Sequence, residues 1–338
     1  MSQLWLLRQP RSDQGRNRLK QHRLAFLFPG QGSQHHGMGI GLLDDPELAE
    51  LAERCSQAAG IDLVYLLLEA SDEELTLTYN AQPALVFVGI ALARLLIRAG
   101  VTPMAAAGHS VGEYAALCVA GAISPEAAIS AVVHRGRAMA DAAPSGQSSM
   151  RAILGIVPDQ IVAVLSEIED VWPANLNTPT QTVIGGTLSG LDVAEPRLLA
   201  AGARRVIPLR VAAAFHTPLV EAAGNRLQDI LQNLLWQPPR LPVAANLTGQ
   251  VYQAEDDIAN SLRLQLSSPV RWMECVQQLL GLGVEGCLEL GPKRALSGMM
   301  RELAPGIPAA PLGTIESVAE YIENVGARLV SPDQKADR

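Results

Sequence analysis

Cysteine is scarce in this chain: four residues among 338, at Cys55, Cys118, Cys275 and Cys287, with no CxxC or CxxH spacing. That argues against a cysteine-built metal centre and suits small buried thiols in a reducing cytoplasm. Aromatic residues make up only 4% of a chain that is 48% hydrophobic, so Ala, Leu, Val and Ile must carry the core. That balance is typical of helices layered on a buried sheet. Long basic runs are missing too: at a net charge of −8, only Lys20–Arg23 and Lys293–Arg294 cluster. A nucleic-acid footprint is therefore not expected, and an acidic protein partner would need a local basic patch. The longest apolar run, Ala84–Ala93, lies between Gln82 and Arg94 and is too short to cross a bilayer. The first 23 residues hold no apolar signal-peptide core. The expectation is a cytoplasmic protein with no membrane or nucleic-acid partner.

What is present reads as alternating strands and helices, hence α/β. Residues 1–22 have the polar, charged texture of an appended arm. LAFLF (24–28) reads as a buried strand stopped by Pro29 and PGQGSQ. Asp45-Pro46-Glu47 is a helix start with Asp45 as cap, Pro83 opens a second helix running through Arg98, and Ser124 caps a third. MAAAGH (104–109) is a short strand followed by the helix VGEYAALCVAGA (111–122). PSGQSS (144–149) signals a linker, after which the pattern strand, helix, two strands, helix, strand predicts a ferredoxin-like unit inserted into a larger domain. Past His216 the chain returns to helices and short strands, LPVAANLTG and GCLELGP among the strands, before a polar tail, SPDQKADR. The division expected is an arm over 1–22, a large domain over 23–145 and 214–315, a small one over 146–213, and a C-terminal helix and tail over 316–338.

GHSVGEYAAL (108–117) is the stretch with chemistry in it. A lone GxSxG is weak, but here Ser110 stands between a strand and a helix, the context of a nucleophile elbow. The turn strains the serine backbone, glycines make room, and the helix presents free N–H groups to an oxyanion, that of Val111 first. Six histidines could serve as its base. His22, His35 and His36 fall in polar segments, and His134 sits in a helix beside Arg135. His109 is expected to leave the strand on the side opposite Ser110. His216, in AAFHTPLV at the end of a strand-like run, remains.

Eight motifs then fall in one order: FPGQGSQ (28–34), QPAL (82–85), GHSVGEYAAL (108–117), RGRAM (135–139), NLNTPTQTVIGG (175–186), AAFHTPLV (213–220), QLSSPVRW (265–272) and ELGPKRALSGM (289–299). From about Leu24 to Arg301 the chain resembles the malonyl-CoA:acyl carrier protein transacylase family, the free-standing acyltransferases of fatty-acid and polyketide synthesis. The resemblance implies an α/β-hydrolase-like large domain and a malonyl transfer from malonyl-CoA to the phosphopantetheine thiol of an acidic acyl carrier protein. It implies no bound cofactor or metal, and a self-contained monomer. It makes Ser110 the nucleophile and His216 its base, the N–H groups of Gln31 and Val111 the oxyanion hole, and Arg135 the clamp for the malonyl carboxylate. The carbonyl that orients the imidazole would be that of Gln265. Sequence spacing alone leaves Asp141, Asp159, Asp170 and Asp192 open as triad acids. Phe215 and Val111 would set acyl selectivity toward malonyl, although Ala213 stands where many malonyl-selective modular domains carry His. His109, Asn175 and Asn177 are candidates for a supporting role, with turn-holding an equal reading for the asparagines. Lys293 and Arg294 could receive an acidic carrier or the phosphates of CoA. Two readings stay beside this one: an acyl hydrolase that clears carrier proteins, and a transferase for a different carrier-bound acyl group.

Overall fold

The computed structural model of the chain describes residues 23–142 and 146–330. The arm and the SPDQKADR tail lie outside them. LAFLF forms β1 (Leu24–Phe28), with every residue buried. Its side chains alternate between two cores, Phe26 and Phe28 in one, Ala25 and Leu27 in the other. Such a strand needs an apolar layer on each face. β1 is central in a five-stranded sheet of order β7-β2-β1-β8-β9. Its other strands are β2 (Ala105–Gly108), β7 (Val243–Ala244), β8 (Gly286–Leu290) and β9 (Ala309–Leu312), and all neighbours run parallel. LPVAANLTG thus yields only the two-residue β7, after which the chain turns so that Asn246 can reach beneath Ser110.

The helix α1 (Pro46–Ala59) starts as its sequence dictates: the Asp45 side chain accepts the N–H groups of Glu47 and Leu48, and Gly60 ends it at φ 62°. α2 (Leu63–Leu68) is a short helix absent from the sequence-based expectation. α3 (Thr78–Arg98) begins five residues before Pro83, which sits inside it. The reason is packing. Gly136, on α5 (Pro125–Ala142), lets the first turn of α3 come so close that a Cβ there would lie 2.5 Å from Tyr79 Cα. Burial of that turn outweighs the one ladder bond Pro83 removes. Between them α4 (Gly112–Val119) leaves the end of β2.

A second, four-stranded sheet has the order β4-β5-β3-β6 and is antiparallel throughout. It consists of β3 (Ser148–Leu154), β4 (Val171–Thr178), β5 (Gln181–Thr187) and β6 (Arg205–Pro208). The segment read as a linker is partly strand, because Ser148 and Ser149 pair with Thr187 and Gly186. Two helices, α6 (Pro158–Leu165) and α7 (Leu188–Ala200), bury Ile161 and Leu191 with Ile153 and Ile184 in a separate small core. Thereafter come α8 (Glu221–Gln232), α9 (Ile258–Gln265), α10 (Trp272–Gly281), α11 (Ala295–Leu303) and α12 (Ile315–Val330). The antiparallel sheet is tied to the segment between α9 and α10 by main-chain bonds, Leu176 N–H to Val270 O and Val270 N–H to Ala174 O, both 2.9 Å.

Both glycines of GHSVG are steric necessities. A Cβ on Gly108 would sit 1.9 Å from the Gly112 carbonyl carbon, and one on Gly112 would sit 2.1 Å from the Phe28 carbonyl oxygen. Since the opposing atoms are backbone, Gly112→Ala is expected to cost at least ~3 kcal/mol, the upper end of overpacking penalties, measured by urea unfolding.

Candidate active site

Ser110 sits at the turn between β2 and α4 with φ 53°, and His216 has φ 62°; both are left-handed conformations that non-glycine residues avoid. Each is held by its own N–H: Ser110 donates to Asn246 Oδ1 at 2.6 Å, and His216 donates to Leu266 O at 2.9 Å. The two side chains meet, Ser110 Oγ lying 2.8 Å from His216 Nε2. On the other side of the ring, Nδ1 is 2.8 Å from the Gln265 carbonyl oxygen. A carbonyl only accepts, so the proton is on Nδ1, and Nε2 is left to accept from the serine hydroxyl. None of the four aspartates left open by spacing takes this place; Asp141 pairs with Arg226 and Asp192 with Arg151.

Arg135 is wholly buried, although it is charged. Its Nη2 donates to Ser110 Oγ and to Gln265 Oε1, each at 3.0 Å. Its Nη1 has only the Met139 thioether, at 3.2 Å, and its Nε has no acceptor. No carboxylate pairs with it within ion-pair distance among the described residues. Burial lowers its pKa below the usual guanidinium range. A buried cation with no anion in contact and idle donors is a site for an anionic group.

Ser110, His216 and Arg135 open into one cavity of about 180 Å3, walled by Phe215, Met139 and Met150. Gln31 and Val111 line the cavity, and neither main-chain N–H has an acceptor among the described residues. His109, expected on the far side, lines the same cavity: its ring packs on Trp272 with centroids 5.5 Å apart, and its Nε2 lies 3.0 Å from Asn177 Oδ1. Its ring follows Ala105 and Ala107 onto the face of β2 that packs on Trp272, where Asn177 of the antiparallel sheet meets it. Asn175 borders the cavity as well, its buried Oδ1 unpartnered. Of the two basic residues singled out, Lys293 donates its Nζ to Gly32 O at 3.0 Å, at the cavity's rim.

Sequence reasoning missed Glu113 and Asn246. Glu113, fully buried on α4, accepts from Asn246 N at 3.0 Å, Gln265 Nε2 at 2.7 Å and Tyr252 OH at 2.6 Å. Asn246 Nδ2 in turn donates to Gly108 O at 2.7 Å. An acid in the apolar run after the serine was the only sequence signal for this network. Burial pushes the Glu113 carboxyl up to about 7, against its three donors. No group of three or more His, Cys, Asp or Glu among the described residues is placed to hold a metal.

Residues 25–330 match the family described as acyl transferase domain. The chain belongs to that family. It is 40% identical over 308 residues to the malonyl CoA-acyl carrier protein transacylase of Bacillus subtilis strain 168, covering 90% of this chain and 97% of the relative. Among solved structures, the malonyl-CoA:acyl carrier protein transacylase of Xanthomonas oryzae superposes with a TM-score of 0.85 at 37% identity, over 90% of this chain and 98% of that one. A malonyl-transacylase in complex with its holo type II PKS acyl-carrier protein gives 0.85 at 35% identity, over 89% and 99%.

Burial and then the Arg135 charge push the His216 imidazole down to about 3, from 6.5. The native ring therefore stays neutral where the unfolded one gains a proton, and its contribution to stability, full above pH 6.5, is lost as pH falls toward 3. The stability advantage of wild type over His216→Gln should shrink on acidification across that window by up to ~1.4 kcal/mol per pH unit, read by urea unfolding at stepped pH.

Proposed function

We propose that this protein transfers a malonyl group from malonyl-CoA to the phosphopantetheine thiol of an acyl carrier protein, through a malonyl ester on Ser110. The observation that carries the reading is the buried, acid-free guanidinium of Arg135 beside the Ser110–His216 pair. A carboxylate-bearing acyl group seated on Arg135 brings its thioester carbonyl to Ser110 Oγ. A neutral acyl chain would leave the cation unpaired.

His216 Nε2 takes the serine proton as Oγ attacks the thioester carbonyl, and the negative oxygen is received by the N–H groups of Gln31 and Val111. His216 then returns the proton to the departing CoA sulfur. In the second half the carrier's thiol gives its proton to His216, attacks the malonyl ester, and Ser110 recovers its hydrogen. The main-chain carbonyl of Gln265 keeps the ring in the needed tautomer throughout. Arg135 also favours the correct substrate electrostatically: after burial, its charge is what depresses the basicity of His216, and a bound carboxylate neutralises that charge. Phe215, 6% exposed and walling the cavity, limits room beside the acyl α-carbon. That favours malonyl over methylmalonyl by the ~1–3 kcal/mol a single methyl is worth. His109 and Asn177 hold the cavity wall, with Asn175 facing the thioester side. Lys293 and Arg294 border the approach of an acidic carrier or the CoA phosphates.

The strand–helix–strand–strand–helix–strand order of residues 148–208 supports a ferredoxin-like reading of the small unit, inserted into an α/β-hydrolase-like one. The division at 146–213 follows from that reading.

Intact-mass spectrometry after incubation with malonyl-, methylmalonyl- and acetyl-CoA tests the proposal. Wild type should carry a malonyl adduct that discharges onto holo carrier protein, and Ser110→Ala should carry none. Arg135→Ala should lose about 100-fold or more in malonyl kcat/KM, the cost of removing one partner of a buried charge pair. An adduct that drains to water as fast as to the carrier would mean a hydrolase instead.

A further inference from the structure

Two charges lie buried under Ser110, and neither has an ion-pair partner among the described residues: the Arg135 guanidinium and the Glu113 carboxylate, 0% and 1% exposed. What lies between them is a single amide. Gln265 Oε1 accepts from Arg135 Nη2 at 3.0 Å, and Gln265 Nε2 donates to Glu113 Oε2 at 2.7 Å. The amide is oriented with its oxygen to the cation and its hydrogens to the anion, so each charge polarises it in the same sense. The pattern around Glu113 is that of an ionised acid: Oε2 receives hydrogens from both Asn246 N and Gln265 Nε2, and Oε1 receives the hydroxyl of Tyr252, which sits 3.0 Å from Ser261 Oγ.

We infer that Glu113 is a positioning residue, the counter-charge of Arg135 acting through the Gln265 amide. The arrangement compensates the guanidinium without occupying it. A carboxylate in direct contact would fill the fork; one displaced by an amide lowers the cost of burial and leaves Nη1 with only the Met139 thioether and Nε without an acceptor. It also locks Gln265, whose main-chain carbonyl holds His216 and whose Nε2 lies 3.2 Å from Ser110 O. Through Asn246 the same carboxylate steadies the Ser110 N–H. One buried acid thus ties the nucleophile, the base and the anion clamp to a common frame. That the open side of the fork serves a substrate carboxylate rests on the malonyl-transfer reading; the charge pairing itself does not.

The experiment is a melting-temperature cycle on the full chain at pH 8 with wild type, Glu113→Gln, Arg135→Met and the double variant. Glutamine keeps the shape of residue 113 and removes its charge. Glu113→Gln should melt several degrees below wild type, since it strands a buried cation. Adding Arg135→Met should raise the melting temperature again, by ~3 °C or more on the scale of one kcal/mol for a domain of this size. Malonylation of Ser110, verified by mass, should raise the melting temperature of Glu113→Gln by more than that of wild type, because the acyl carboxylate then supplies the missing anion. A purely structural Glu113 would give additive losses, so a double variant that melts at or below Glu113→Gln, or fails to fold, overturns the inference. A malonyl increment no larger than that of wild type would overturn it too. Failure of wild type to take up malonyl would instead sink the functional reading, with the cycle still deciding the charge pairing.

Discussion

Burying the Arg135 guanidinium without a carboxylate in contact is the constraint around which this site is arranged. Taking such a charge out of water costs several kcal/mol unless hydrogen bonds and opposite charge compensate it. Here compensation is partial: a serine hydroxyl and an amide oxygen on one side, and a thioether or nothing on the other. The remaining demand is for an anionic group, and Arg135 lines the cavity through which one can reach it. Burial first and this positive charge second keep His216 neutral, so the cation that selects the acyl group also helps preserve the base that acts on it.

The second dependence is on backbone strain. Ser110 and His216 both occupy left-handed conformations, and each is fixed by a hydrogen bond from its own N–H to a distant element. Asn246 follows β7 and Gln265 ends α9, so the reactive pair is held by segments more than a hundred residues from the elbow. Short-range sequence explains why the turn can be made, through Gly108 and Gly112. Long-range contacts explain why it stays made.

The two sheets divide the labour. The parallel sheet supplies the elbow at the carboxyl end of β2, where helix N-termini and strand ends leave polar groups free. The antiparallel unit closes the cavity, with Met150 on β3, Asn175 on β4 and Phe215 just past β6. The bonds between β4 and Val270 fix that wall to the segment carrying Gln265.

Much of this was legible from the chain alone. The strand LAFLF, the Asp45 cap, the strand–Ser110–helix turn and the family motifs needed only local patterns, because apolar period, capping chemistry and glycine placement act over a few residues. The carbonyl partner of His216 was reachable through family resemblance alone. Other features depended on atoms far away in sequence. Helix α3 overran Pro83 because Gly136 let Tyr79 pack closely, and His109 joined the cavity wall because Trp272 and Asn177, distant in sequence, pack against it. Glu113 looked like one acid on one helix, and Asn246 like the end of a strand. Their roles exist only where Tyr252, Gln265 and Ser110 converge. The sequence determined which elements could form and which reactive groups were at hand. Only the tertiary structure decided which buried charge faced which dipole, because a hydrogen bond is set by distance in space: Glu113 meets Asn246, Tyr252 and Gln265, and Arg135 meets Gln265, each more than a hundred positions away.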